Sequence, residues 1–132
     1  HMITVNNGAE VTTESLFKAD TLHVDLKSGG MLHLDADIGC LISRIIEGSL
    51  LSAEGYATVQ EATVASTATL SAFDLESEKI TIKVSTGGKA KINVEEELDA
   101  EATSKGYISY KGNPSKINRI ANSGGSIVVY EP

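Results

Sequence analysis

The chain's last third reads Gly106-Tyr-Ile-Ser-Tyr-Lys-Gly-Asn-Pro114 and then Ser123-Gly-Gly-Ser-Ile-Val-Val129. A small polar residue, glycines and then an alternating β-branched run also occur upstream. The matching stretches are Ser28-Gly-Gly-Met-Leu-His-Leu34 and Ser85-Thr-Gly-Gly-Lys-Ala-Lys-Ile-Asn-Val94. A short unit that recurs with glycine corners and alternating strands is the pattern of a coiled, repetitive β architecture.

Working outward, the corners fall at Gly30, Gly55, Gly88, Gly106 and Gly125, with separations of 25, 33, 18 and 19 residues. The gap of 33 predicts one further corner near Ser71-Ala-Phe-Asp-Leu75, which makes the mean step 19 residues. A repeat of roughly 20 residues lies within the range of solenoid repeats.

Between corners the apolar residues alternate. Leu22, Val24 and Leu26 oppose Thr21, His23, Asp25 and Lys27; Ile80, Ile82 and Val84 oppose Thr81 and Lys83; Leu98, Ala100 and Ala102 oppose Asp99, Glu101 and Thr103; Ile92 and Val94 follow the same rule. That is the period-two signature of a sheet with one buried face. The run Ile38, Leu41, Ile42, Ile45, Ile46, Leu50 also fits a helical spacing, but Gly39, Gly48 and the β-branched residues favour strands. The fold class predicted is all-β, a right-handed parallel β-helix in which a single-stranded solenoid makes about six rungs. Ala57, Ala65, Ala72, Ala90 and Ala100 are expected to fill a narrow interior. Gly112-Asn-Pro114 reads as a tight turn, since the residue before proline is held extended.

His1-Met2 reads as a cloning remnant, with residues 3–132 forming a single β-solenoid domain. A chain of 132 residues is long enough to bury a core without staples. Two phenylalanines and no tryptophan leave the interior to Ile, Val, Leu and Ala, which suits strands. A net charge of −7 argues against a nucleic-acid partner and against adsorption to anionic lipid. No stretch has the apolar length of a membrane span. The lone Cys40 excludes an internal disulfide, and its apolar neighbours predict a buried small residue rather than a reactive thiol. The ends of such a rod are unpaired strand edges, with Ile3-Thr-Val5 bare at one and Glu131 and Pro132 blunting the other.

Lys105-Gly-Tyr-Ile-Ser-Tyr-Lys-Gly-Asn-Pro114 followed by Ser123-Gly-Gly-Ser-Ile127 resembles the C-terminal signature of the auto-transporter adhesin, head GIN domain family. The likeness extends loosely from Leu22 to Val129. The resemblance implies a right-handed β-helix, a protein common in Bacteroidota, export to the cell envelope or surface, and a role in adhesion. The chain would then be the C-terminal part of a longer family domain whose signal segment has been removed. No catalytic residue, cofactor or metal comes with the resemblance.

Glu95, Glu97, Asp99 and Glu101 share a strand face, but a row of carboxylates about 6.8 Å apart spreads oxygens that a calcium ion needs gathered. Asp35 and Asp37 form an i, i+2 pair of the kind that glycoside hydrolysis uses, at a separation any exposed strand supplies. His23 and His33 lie on successive strands, within reach of stacking, but two imidazoles without a third ligand make a poor zinc site, and both are expected to be surface residues. Tyr107 and Tyr110 face opposite sides, and the outward ring offers a flat apolar face with a hydroxyl to a sugar or protein. The expected partner contacts are therefore Tyr107, Tyr110, Asp99 and Glu101.

Three roles follow. The first is a non-enzymatic surface module binding a polysaccharide or a surface protein through ladders of hydroxyl and amide groups. The second is a self-assembling, bactofilin-like scaffold joined into homo-oligomers through the solenoid ends. The third, supported least, is a polysaccharide-cleaving β-helix.

Overall fold

The computed structural model describes residues 2–6, 8–12 and 17–129, the side chain of Phe17 aside. Among these every regular element is a strand: β1 (Met2–Val5), β2 (Glu10–Thr12), β3 (Phe17–Leu26), β4 (Met31–Ile45), β5 (Leu50–Val64), β6 (Thr69–Val84), β7 (Lys89–Ala102), β8 (Tyr107–Lys111), β9 (Lys116–Ala121) and β10 (Ser126–Val129). All pairings are parallel, and successive strands stack in the order β1-β3-β4-β5-β6-β7-β8-β10, with β2 on β4 and β9 on β7. The chain is a β-solenoid of about six turns. The segment Ile38–Ile45, ambiguous by spacing, lies within β4 as strand.

Each turn of the coil ends in a two-residue corner with both residues in the left-handed region. The pairs are Ser28/Gly29, Glu47/Gly48, Ser66/Thr67, Thr86/Gly87, Ser104/Lys105 and Ser123/Gly124, with φ between 50° and 83°. The residue after each pair donates its N–H to the carbonyl three positions back, as from Gly30 to Lys27 at 3.1 Å and from Gly106 to Thr103 at 2.8 Å. Positive φ at both central positions makes these type I′ turns. The corners also bond to one another: Gly29 N–H meets Glu47 O at 3.0 Å, Gly48 N–H meets Ser66 O at 3.0 Å, and Thr67 N–H meets Thr86 O at 3.1 Å. The interstrand ladder therefore continues through these turns at the second left-handed residue.

Residues after the corners sit at 30, 49, 68, 88, 106 and 125, with steps of 19, 19, 20, 18 and 19. The predicted mean step of 19 holds, but two corners move. Gly55 lies inside β5, at a bend midway round the coil, and the true corner is Gly48-Ser49. The extra corner is Ser66-Thr67 rather than Ser71–Leu75. The latter stretch is a bulge: Ala72 pairs with Ile92 and Glu76 with the next residue, Asn93, so Phe73, Asp74 and Leu75 are extra.

The bend divides each turn into a first segment (in β4, Met31–Asp35) and a second (Cys40–Ile45). Inward side chains from both segments form one core. Inner columns stack like on like; one runs Leu32, Leu51, Leu70, Ala90, Ile108 and another Leu26, Ile45, Val64, Val84, Ala102. Leu22, Leu41, Leu51, Leu70 and Ile92 are fully buried, each contributing about 1.5–3 kcal/mol through removal of apolar surface from water. Ala57, Ala72, Ala90 and Ala100 fill the narrow places as expected, whereas Ala65 is only half-buried beside its corner. Polar residues are buried too: Gln60 lies between Leu41 and Ile80, and its Oε1 accepts from the Oγ of the buried Ser77 at 3.3 Å. Glu131 and Pro132, expected to blunt one end, lie outside the described residues.

Candidate functional site: the outer faces of the coil

Because rungs stack in register, a side chain's neighbours on the surface are those about 19 residues away. On the second segment one outward column runs Thr21, Cys40, Val59, Lys79, Glu97, Lys116, and the next runs His23, Ile42, Glu61, Thr81, Asp99, Asn118. Between their last members lies a trough of about 410 Å³, lined by Lys79, Thr81, Glu97, Asp99, Lys116 and Asn118 over a floor of Val59, Ile80, Leu98 and Ile117. Glu97 is gripped from both neighbouring rungs, by Lys79 Nζ at 3.7 Å and Lys116 Nζ at 3.6 Å. Asn118 Nδ2 donates to Asp99 Oδ1 at 3.5 Å. The trough thus offers carboxylate, amide, hydroxyl and ammonium groups in two rows, held apart by the i, i+2 spacing of a strand, about 6.8 Å.

Of the four expected contacts, Asp99 lines this trough, and Glu101 is half-buried in the adjacent outward column between Lys83 and Ile120. Tyr107 is on the first segment, 40% exposed, stacked on Lys89. Tyr110 faces the core at 3% exposure, and its hydroxyl accepts from Arg119 Nη1 at 3.4 Å. The two rings therefore point opposite ways. Asp99 and Tyr107 lie on different segments whose inner rows share a core, so one flat partner does not span both. Lys116 and Asn118, absent from the expected contacts, complete the trough; the step of 19 from Glu97 and Asp99 was the signal that marks them.

A second groove, of about 180 Å³, runs along the first segment past Thr12, His33, Ser52 and Ser71, with Asp35, Glu54 and Asp74 beside them. His33 Nε2 lies 3.9 Å from Glu10 Oε1. His33 stacks on Thr12 and Ser52, while His23 stacks on Met2 and Ile42. The two imidazoles therefore do not stack on each other but sit in columns on different segments. Asp35 and Asp37 flank buried Ala36, with Asp37 exposed at the bend.

At the bend, Tyr56 donates its hydroxyl to Glu78 Oε1 at 2.9 Å. That bond leads the causes that raise the phenol's pKa. Glu95 is also held above the ordinary carboxyl value, first by desolvation and then by Glu76, Glu78 and Glu96. Cys40 is half-buried on the outer face rather than in the core, and burial followed by the charge of Glu61 pushes its thiol up. Among the described residues no three His, Cys, Asp or Glu side chains gather as a metal site, and no helix is long and apolar enough to cross a membrane.

The fold and its outward ladders define a parallel β-solenoid whose surface columns carry the variable chemistry. The family described as "putative auto-transporter adhesin, head GIN domain" matches residues 1–114, and the chain belongs to it. Among solved structures, one from Parabacteroides distasonis ATCC 8503, described as a putative lipid binding protein, superposes with a TM-score of 0.91 at 20% identity. The match covers 98% of this chain and 53% of that one, so the chain spans about half the length of that protein, and at this identity the likeness shows the fold. Comparison with curated proteins gave no match.

Proposed function

We propose that the chain is a non-enzymatic binding module, exported and displayed at the cell envelope or surface, that holds a polymeric glycan along the second-segment trough. The observation that carries this reading is the pair of in-register columns Lys79/Glu97/Lys116 and Thr81/Asp99/Asn118. Carboxylate and amide oxygens accept from sugar hydroxyls, ammonium and amide N–H groups donate to them, and the rung repeat of about 4.8 Å offers a polymer successive weak contacts that add up. Membership of an adhesin-like head domain family supports display and binding rather than turnover.

A glycan array probed with the purified chain tests it. Saturable binding to one glycan class, weakened about tenfold or more in Asp99→Ala and Asn118→Ala, supports the trough. Binding that ignores both substitutions, or retention on phospholipid vesicles with no glycan bound, overturns it. The vesicle arm is included because the P. distasonis protein is described as lipid binding.

A self-assembling scaffold is the second reading. It is favoured by the exposed apolar side chains Ile117 and Ile120 of β9, and static light scattering over a concentration series separates it from a monomeric binder.

A further inference from the structure

The net charge of −7 conceals a segregation along the rod. Between Ala102 and Val129 the sequence has four cations, Lys105, Lys111, Lys116 and Arg119, and no Asp or Glu. The register extends this basic zone onto the previous rung of the first segment. There Lys89 stacks under Tyr107, Lys91 under Ser109, and Asn93 under Lys111. On the first segment, the outward positions of these two rungs therefore carry three ammonium groups, a tyrosine, an amide and the buried hydroxyl of Ser109, without a carboxylate.

Two of the cations are held in place. The bulge on β6 pushes Phe73 out of the ladder, and Lys111 Nζ sits 5.2 Å and Lys91 Nζ 6.0 Å from its ring centroid. Asn93 Nδ2 fixes the bulge by donating to Phe73 O at 3.3 Å. A ring face within about 6 Å attracts an ammonium group without neutralising it. Among the described residues none of Lys89, Lys91 and Lys111 is in an ion pair, in contrast to Lys79 and Lys116 on the other segment.

We infer that this face, formed by Lys89, Lys91 and Lys111 with Tyr107, binds a polyanionic polysaccharide, a chain bearing sulfate or carboxylate groups at regular intervals. Lys89 and Lys91 lie about 6.8 Å apart along β7, and Lys111, stacked on Asn93, lies diagonally about 8 Å from Lys91, so successive anionic groups of one extended chain each meet a cation. Tyr107, 40% exposed, supplies a flat face for a sugar ring. A planar anionic membrane fits less well. The same face continues into the groove of Asp35, Glu54 and Asp74, whose carboxylates repel a broad negative surface, whereas a thin chain lies on the basic rungs alone.

The surface is separate from the glycan trough and stands or falls without it. The test measures binding of dextran sulfate and of neutral dextran of equal length to the chain, with phosphatidylserine vesicles as a third probe. Dextran sulfate is expected to bind saturably, at least tenfold more tightly than dextran. The double variant Lys91→Ala/Lys111→Ala should lose about tenfold and reduce the magnitude of the slope of log affinity against log salt by about one to two, as loss of two counterion-releasing contacts requires. Tyr107→Ala should weaken binding severalfold with the salt slope unchanged, and Thr63→Ala, an exposed neutral position on the second segment, should leave binding as it is. Lys91 and Tyr107 are exposed and Lys111 is half-buried, and thermal melts check that each variant folds. Equal affinity for the neutral polymer, lysine variants that bind like wild type, or retention on vesicles with no dextran sulfate bound would overturn the inference.

Discussion

Thr67 is a β-branched residue at φ 63°, in a conformation that L side chains with a branched Cβ avoid. Four of the six corners between Ser28 and Gly124 place glycine at this second left-handed position; the exceptions are Thr67 and Lys105. Thr67 is held there because its N–H continues the corner ladder to Thr86 O at 3.1 Å, and its hydroxyl donates to Ser66 O at 2.6 Å. Thr67→Gly keeps the backbone bond and removes the strain. The net gain, after the larger unfolded-state entropy of glycine, is about 1 kcal/mol, or a rise in Tm of about 3–4 °C for a chain this long. A thermal melt showing a fall in Tm would mean that the hydroxyl contact outweighs the strain. The same residue explains why one corner was hard to read. The sequence marks corners where glycine relieves φ, and Ser66-Thr67-Ala68 makes the turn without any. The burial pattern needs no such aid, and Leu22, Ile82, Leu98 and their alternating partners lie as the period-two reading places them.

At the scale of elements, the internal bend is what sequence periodicity conceals. Gly55 and Gly112 have φ of 111° and 107°, and a Cβ at either would collide with a carbonyl oxygen of the preceding rung, that of Ala36 or of Val94. They mark the bend rather than the corner, a distinction that glycine spacing alone does not make. Between them β6 and β7 bring four carboxylates together at the same bend, so that Glu95 titrates above the ordinary carboxyl value through desolvation and the charges of Glu76, Glu78 and Glu96. A raised folded-state pKa in an acid means that the folded chain binds the proton more tightly than the unfolded one. The penalty is absent below the unfolded pKa, grows as pH rises through the folded value, and is complete above it. Glu95→Gln should therefore match wild type near pH 4 and melt higher than wild type near pH 7, the gap widening between them. A gap that stays constant from acid to neutral pH would show that Glu95 is not electrostatically strained. The trough is similarly a property of paired elements: Asp99 was legible as an outward residue, but its partners Asn118 and Lys116 come from β9, and only the strand register brings them alongside.

At the scale of the whole rod, β9 pairs among the described residues with β7 alone, which leaves its other edge open there. Its inward positions Ile117, Arg119 and Ala121 continue the columns of Leu98, Ala100 and Ala102, yet all three are exposed. Ile117 at 43% and Ile120 at 46% exposure, with Val128 and Val129 on β10, make this edge apolar enough to recruit another strand. Arg119 opposes that. Its side chain belongs to the inward column above Ile82 and Ala100, and its guanidinium reaches Tyr110 Oη at 3.4 Å. A strand stacking on β9 would bury that charge with only a phenol hydroxyl to meet it, a cost of several kcal/mol. An inward-pointing charge on an edge strand is a known guard against edge-to-edge pairing. Arg119→Val replaces the charge with a residue that suits the column, so the variant should show a mass that rises with concentration in light scattering while wild type does not. If wild type already associates and Arg119→Val leaves the association unchanged, then Arg119 guards nothing, and the scaffold reading gains at the expense of the monomeric binder. If the variant alone assembles, the edge is competent to pair and the wild-type chain holds it back with a single charge, which keeps the outward columns of each rod free for a partner.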